Sequence, residues 1–310
     1  MLGRSNAPMR DPTLPWKGLL LAAVGAIGFS GKAIIVKLAY RHGVDAVTLL
    51  MWRMLLSLPL FFLLALWAGR GQAPLTRADW LDVLVLGFTG YYLASYLDFA
   101  GLQYVSASLE RLILYLNPTL VLLFSWLSRQ HRVQPRQLVA LALSYAGVVL
   151  VFAQELHLDG SQAQSQTLWG GLLVLGSALS YAYYLARSSS VVQRLGTLRL
   201  TGLATTVACL LCIGQFLLLR ESATALVPEP VLWLSLLNAV ACTFVPVLCV
   251  MAGVRRLGAP LAAQVGMLGP MSTLLLAAIF LAEPLTPVVL AGTLLVLAGV
   301  ALLARRAQAP

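Results

Sequence analysis

Ionisable side chains lie inside long apolar stretches of this sequence, where a charge needs either a partner or a task. Lys32 and Arg53 lie deepest, while Asp98, Glu110 and Arg111 lie nearer one end of their stretches. A charge at the centre of a membrane helix costs about 2.5–3.5 kcal/mol on insertion scales. Two interpretations are open. The cations form a buried ion-pair network with the two acids, or one or both cations reach a central cavity and bind an anionic group.

Uncharged polar side chains at similar depth are further candidates for lining such a cavity. A buried hydroxyl or amide needs a hydrogen-bond partner, so these groups either face a cavity or join neighbouring helices. The candidates are Tyr92, Tyr96, Tyr115, Asn117, Tyr184 and Gln264.

Pro118 and Pro270 each interrupt an apolar stretch. Proline lacks an N–H and clashes with the carbonyl four residues before it, so the carbonyls of Leu114 and Gly266 lose their usual partners. We expect a break at each proline, facing protein or water rather than lipid. The two prolines are therefore candidate gating residues, and the alternative is a kink that serves packing alone. The charged residues named above other than the two deep cations are also candidate coupling or gating residues: Asp98, Glu110 and Arg111.

Motifs for catalysis or metal binding do not occur in a usable context. The sequence has no H-E-x-x-H, P-loop or G-x-S-x-G motif in such a setting. The four cysteines lie in apolar stretches without metal-ligand spacing, and the three histidines lie in predicted loops. We therefore expect no enzymatic activity, no cofactor and no metal site.

The composition is that of a membrane protein. Of 310 residues, 60% are hydrophobic and 10% are charged, and the mean hydropathy is +0.86. Soluble domains are about 45–50% apolar and about 25% charged, so soluble and nucleic-acid-binding classes are excluded. A membrane-spanning helix needs about 20 mostly apolar residues. Ten segments qualify, at about 18–40, 46–67, 80–102, 106–127, 137–153, 168–190, 200–219, 230–254, 258–281 and 286–303.

The two halves of the chain repeat each other. A shift of 152 positions places residues 100–151 on 252–303 without a gap, with Pro118 on Pro270 and Ala146-Gly147-Val148 on Ala298-Gly299-Val300. The sequence thus predicts an all-α integral membrane protein with ten transmembrane helices in two five-helix repeats. The predicted segments are an N-terminal segment 1–16, a first repeat 17–153, an extracytoplasmic linker 154–167, a second repeat 168–303 and a tail 304–310.

The distribution of Lys and Arg predicts the orientation. If the N-terminus is cytoplasmic, fifteen of the 21 basic residues lie on the cytoplasmic side, and only Arg41 and Arg220 lie in outer loops. This is the positive-inside pattern. Five spans per repeat make the second repeat enter from the opposite side, so the repeat is of inverted topology. We expect both termini in the cytoplasm and the chain in a bacterial inner membrane.

On these features the sequence resembles the drug/metabolite transporter superfamily in its EamA-type branch. The resemblance covers about 17–153 and 168–303, and it departs from the pattern at His131, which stands where Glu283 stands in the second half, and at Thr206, near the position matching Arg53. The residues that carry it are Arg53, 100–118, 252–270, Glu283, Leu290 and Ala298-Gly299-Val300.

The resemblance and the deep cations together predict a secondary transporter. Its substrate would be a small amino-acid-like or other carboxylate-bearing metabolite, and the resemblance implies export. It would work by alternating access, with the third, fourth, eighth and ninth spans as moving gates. Its partners would be this small-molecule substrate and the lipid bilayer, with protons as a candidate coupling ion carried by Asp98 or Glu110. Two alternatives stay open: an obligate exchanger of organic anions such as phosphorylated metabolites, and a non-transporting membrane scaffold or sensor.

Overall fold

A computed structural model describes residues 15–127, 134–158 and 161–304, and every regular element in these ranges is a helix. His131, most of the N-terminal segment and nearly all of the C-terminal tail lie outside them. The α-helices are α1 (Pro15–Tyr40), α2 (Ala46–Gly69), α3 (Arg77–Leu86), α4 (Ala94–Gly101), α5 (Ala107–Leu114), α6 (Asn117–Leu127), α7 (Pro135–Leu158), α8 (Ser161–Leu195), α9 (Thr197–Leu219), α10 (Glu229–Ala239), α11 (Val245–Leu257), α12 (Ala259–Gly266), α13 (Leu268–Leu276) and α14 (Pro287–Ala304).

Most of the predicted spans are present as helices of membrane-crossing length. Over the described ranges, nine helices are long and apolar enough to cross a membrane, and the segment predicted as the tenth span is a shorter apolar helix, Pro287–Leu303. Helix extends into the predicted linker 154–167 from both sides, because α7 runs to Leu158 and α8 begins at Ser161.

Four of the spans are irregular in the middle. The predicted breaks at the prolines are confirmed: the fourth span divides between α5 and α6, and the ninth between α12 and α13. The third span joins α3 to α4 through π-helical turns at Gly87–Leu93, and the eighth joins α10 to α11 through π-helical turns at Val240–Phe244. These two segments are related by the same shift of 152 positions, so the irregularity itself is repeated.

Helix packing pairs the two repeats in a two-fold pattern. The first span packs along the eighth, as α1 on α11, and the third along the sixth, as α4 on α8. Exchanging the repeats converts one of these pairs into the other. The second span packs on the seventh, and the fifth packs on the tenth. In both pairs the two partners are equivalent spans of the two repeats.

Equivalent helices of the two repeats run antiparallel where they meet. Near the start of α2, Val47 and Met51 cluster with Phe216 near the end of α9. Toward the other end, Ala65 lies against Gly202, near the start of α9. The two helices therefore run in opposite directions, as expected for repeats related by a two-fold axis perpendicular to the helices.

Candidate functional site

Lys32 lies between two carboxylates from different helices of the first repeat. Its ammonium is 2.5 Å from Asp98 Oδ2 and 3.2 Å from Glu110 Oε1. Glu110 is fully buried and Asp98 is 3% exposed. This is the ion-pair network that the sequence left open for Lys32. It ties α1, α4 and α5 together and compensates the lysine charge inside the molecule.

Arg53 stands beside this network without joining it. Its Nε donates to the Thr243 hydroxyl at 3.2 Å, and its guanidinium lies 5.2 Å from the ring centroid of Phe99, the residue after Asp98. No ion pair joins Arg53 to a carboxylate, and its Nη1 has no hydrogen-bond partner, among the residues the structure describes. Arg53 is nevertheless only 7% exposed. The structure therefore separates the two deep cations: Lys32 is paired with carboxylates, and Arg53 is not, among the described residues.

Further polar atoms without partners belong to the helices around Arg53. Ser57 shares the Arg53 face of α2 at a spacing of one helical turn, and its hydroxyl has no partner within the described part of the chain. Asn238 lies on α10, which packs against α2; its carbonyl accepts from the Thr243 hydroxyl at 2.9 Å, while its own Oδ1 is unpartnered. Buried polar groups are normally paired, so this cluster has donors and acceptors to offer to water or to a ligand.

Arg111 bonds to uncharged oxygens only, over the ranges described. Its Nε donates to the Thr273 hydroxyl at 2.9 Å and its Nη2 to the carbonyl of Phe29 at 2.6 Å. It therefore joins the fourth span to the ninth and the first. Counted by residue type, Lys32, Arg53 and Arg111 stand against Asp98 and Glu110, so the formal charge of this set is +1.

A residue of the fourth span donates a hydrogen bond to the backbone at the break in the ninth span. The hydroxyl of Tyr115 donates to the carbonyl of Gly266 at 2.6 Å, which is the carbonyl expected to lose its partner to Pro270. Pro270 is buried, whereas Pro118 is exposed on the protein surface. Asn117, beside Pro118, has a buried Oδ1 with no partner in the described ranges.

The remaining predicted residues lie in different surroundings. Tyr92 and Tyr96 are partly buried and pack on the apolar cluster that contains Phe99, so they border the Arg53 region. Tyr184 instead belongs to an aromatic group between the third and sixth spans, where its hydroxyl lies 3.1 Å from that of Tyr91. Gln264 is exposed on α12.

Several residues of the site were not visible in the sequence. Thr243, Phe99 and Thr273 hold the arginines, and isolated threonines and phenylalanines in an apolar span carry no pattern that marks them. Glu283 was marked by the resemblance alone. In the structure its carboxylate accepts from the backbone N–H of Ala107 and from the Ser108 hydroxyl at the start of α5.

Comparison with known proteins gives one consistent result. A profile described as the EamA-like transporter family matches residues 16–153 and 168–305. The chain is 29% identical over 281 residues to "Uncharacterized transporter YcbK" of Bacillus subtilis, covering 86% of each. It is 28% identical over 226 residues to an "Uncharacterized transporter" of Archaeoglobus fulgidus, covering 71% of this chain and 75% of the relative. A solved structure described as "Crystal structure of protein" has the same fold, with a TM-score of 0.61 at 19% identity, covering 94% of this chain and 99% of that one.

Proposed function

Because the chain belongs to the EamA-like transporter family, we propose that it is a secondary transporter of small metabolites that carry a carboxylate or another anionic group. The observation that carries the proposal is the buried guanidinium of Arg53, which has no carboxylate partner and a free Nη1 in the described part of the chain. Burying an arginine in this condition costs free energy, so a function is the best reason for its presence.

An anionic substrate fits the charges of this region. The guanidinium group presents donors in a planar fork that matches a carboxylate or phosphate. One monovalent anion would also balance the formal charge of +1 that these five side chains carry. Ser57 and Asn238, whose unpartnered oxygens lie on the helices around Arg53, would accept hydrogen bonds from an amino or hydroxyl group of the same substrate. Amino-acid-like solutes are therefore the favoured class.

Alternating access around this site is the mechanism we propose. The repeats run antiparallel where equivalent helices meet, which supports an inverted topology with the site between the halves. The breaks at Pro118 and Pro270 lie in the fourth and ninth spans, so these spans can bend while the pairs of second with seventh and fifth with tenth spans stay packed. We place both termini in the cytoplasm, on the distribution of basic residues, and the protein in the inner membrane. We propose export as the direction.

The test is solute counterflow in proteoliposomes. Purified protein is first screened by thermal shift against amino acids, organic acids and phosphorylated sugars, since a ligand of the native state raises the unfolding midpoint. Solutes that bind are then assayed for flux. Flux into empty vesicles supports the transporter, and flux only with solute on both sides identifies the obligate exchanger. No flux or counterflow for any pooled solute would leave the scaffold or sensor.

Variants of Arg53 then test the site. We expect Arg53→Met to lose binding and counterflow, and Arg53→Lys to keep part of both, because lysine supplies the charge without the planar fork. Arg70→Met is the matched control, since Arg70 is an exposed arginine just after the end of α2. Normal binding by Arg53→Met would show that Arg53 does not contact the substrate.

A further inference from the structure

Glu283, from the second repeat, caps the first turn of α5 in the first repeat. Its carboxylate accepts from the backbone N–H groups of Ala107 at 2.8 Å and Ser108 at 3.2 Å, and from the Ser108 hydroxyl at 2.7 Å. The first N–H groups of a helix have no partner within it, and negative charge is favoured at this end of the helix dipole. One side chain therefore fastens the connection between the ninth and tenth spans to the start of the fourth.

The helix that Glu283 holds also carries charged groups of the site. Glu110 and Arg111 follow Ala107 by three and four residues, within about one turn of helix. Glu110 contacts Lys32, and Arg111 contacts Thr273. A displacement of the first turn of α5 would move both charges, so the position of the Glu283 carboxylate is coupled to the arrangement of the site.

The backbone that presents Glu283 is strained. Ala282 has φ 59° and ψ 29°, and it is the one non-glycine residue with positive φ in the part of the chain that the structure describes. A Cβ atom disfavours this left-handed conformation, which persists where surrounding contacts hold it. The preceding residues Ala277–Leu281 form π-helical turns, and the Glu283 N–H donates to the Ala277 carbonyl at 3.2 Å. A strained turn held by a few bonds can change conformation when those bonds break.

The fourth and ninth spans contact each other in the halves nearest Glu283, which are α5 and α13. Beyond the breaks, each span packs on other helices. On that side α5 packs against α13, and Arg111 bonds to Thr273. On the other side of the two breaks, α6 packs against α8, whereas α12 packs against α1 and α11. The Glu283 contact therefore lies at the end of the molecule where the fourth and ninth spans, each broken near its proline, pack against each other.

We infer that Glu283 is a positioning residue that locks one gate of the transport cycle. With Glu283 on α5, the fourth and ninth spans are closed on this side; release of the carboxylate and relaxation of Ala282 would let them separate there. The inference rests on the proposed function for the need of this side to open. Under the proposed topology it is the extracytoplasmic gate.

The experiment measures this opening directly and needs no substrate. Nitroxide labels are placed at Gln103→Cys and Leu285→Cys, two exposed positions on either side of the contact. Cys249 is replaced by alanine, because the other three native cysteines are buried. Distances are measured by pulsed electron paramagnetic resonance in lipid nanodiscs. We expect Glu283→Gln to increase a longer-distance population several-fold over the parent protein, because it removes the charge and one acceptor while keeping the size.

Two further variants keep the test decisive if Glu283→Gln folds poorly. Ser108→Ala removes one of the three bonds and should shift the distances in the same direction by less. Ala282→Gly relieves the left-handed strain of the locked state and should shift them the opposite way. Glu221→Gln is the control, since Glu221 is an exposed acid in the loop between the seventh and eighth spans.

Each result has a definite meaning. Unchanged distances in Glu283→Gln, or in both Ser108→Ala and Ala282→Gly if the first variant does not fold, overturn the lock. A shift of equal size in Glu221→Gln also overturns it, because the effect would then be one of net charge. The expected shifts without solute flux would refute the transporter and leave a conformational contact, whereas flux without the shifts would refute the lock alone.

Discussion

The three cations near the site differ in what they contact, and this decides their roles. Lys32 meets two carboxylates, Arg111 meets a carbonyl and a hydroxyl, and Arg53 meets a hydroxyl and an aromatic face. Attraction between buried opposite charges offsets the cost of removing them from water, whereas hydrogen bonds to neutral oxygens do so less completely. Lys32 is thus paired with carboxylates inside the fold, whereas Arg53 has no carboxylate partner among the described residues and, under the proposed function, receives the anion.

These contacts predict different effects of two similar substitutions on stability. Lys32→Met leaves Asp98 and Glu110 buried without their cation, and we expect a loss of about 3–5 kcal/mol, the usual result of breaking a buried pair on one side. Arg53→Met removes a cation that has no carboxylate partner, so stability should stay the same or rise. Thermal unfolding midpoints in detergent, with both variants purified in parallel, make the comparison. Equal destabilisation by the two variants would show that Arg53 is also structural.

The sequence predicted how deep these residues lie along their spans, but not which neighbouring helix each side chain faces. The position of Lys32 and Arg53 along their spans follows from counting residues at a fixed rise. Which neighbour each side chain meets depends on the rotation of each helix about its axis, which a nearly uniform apolar sequence does not encode. The same limit applies to Tyr184. The sequence allowed it either to line a cavity or to join neighbouring helices, and in the structure it contacts Tyr91 of the third span.

At the scale of elements, Asp45 joins the start of one helix to the end of another. Its side chain accepts from the N–H of Val47 at 2.9 Å and of Thr48 at 3.3 Å, which caps α2. It also accepts from Arg220, at the end of α9, at 3.2 Å. These two helices are equivalent in the two repeats, so the contact fixes one end of a pair that spans both halves.

This joint predicts an acid-sensitive contribution to stability. Burial alone would raise the pKa of Asp45, but hydrogen bonds from Thr48 and Arg220 outweigh it and hold the pKa below its usual value of 3.8. A carboxyl group with a lowered folded-state pKa stabilises the fold above its unfolded pKa, and that contribution disappears as the pH falls through the lowered value.

Asp45→Asn should therefore lower the unfolding midpoint at pH 7 and reduce its fall on acidification below about pH 4. Glu221→Gln, in an exposed position, serves as the control for charge. Parallel acid profiles for the parent and Asp45→Asn would contradict the assignment.

The elements differ in how well the sequence predicted them. The breaks at Pro118 and Pro270 were predictable, because a missing N–H and a steric clash are local consequences of proline. The π-helical turns in the third and eighth spans were not, because no residue type requires them. The polar composition of 154–167 predicted a connection between the repeats but not its local structure, and α8 begins within it at Ser161.

For the whole molecule, the internal repeat is visible in close backbone contacts as well as in the sequence. In the pair formed by α7 and α14, Gly147 lies against Gly292 and Gly299 lies against Ala140. The shift of 152 positions carries Gly147 to Gly299 and Ala140 to Gly292, so it exchanges these two contacts. The chain thus builds both sides of this interface from one pattern. Matched residues in the sequence showed the repeat. That the matched helices pack on each other across a two-fold axis was visible only in the structure.

Substitution of these glycines tests the two-fold contact. A Cβ atom on Gly147 would lie 2.5 Å from the Gly292 carbonyl oxygen, and one on Gly299 would lie 2.6 Å from that of Ala140. Backbone must move in both cases, so we expect Gly147→Ala and Gly299→Ala to destabilise by about 1–3 kcal/mol each. Gly214→Ala is the matched control, since a Cβ there meets nothing within 4 Å and alanine favours helix by up to about 1 kcal/mol. Because the two contacts are exchanged by the repeat, the two losses in unfolding midpoint should be similar. A large loss for one variant and none for the other would mean that the repeats do not pack symmetrically at this interface.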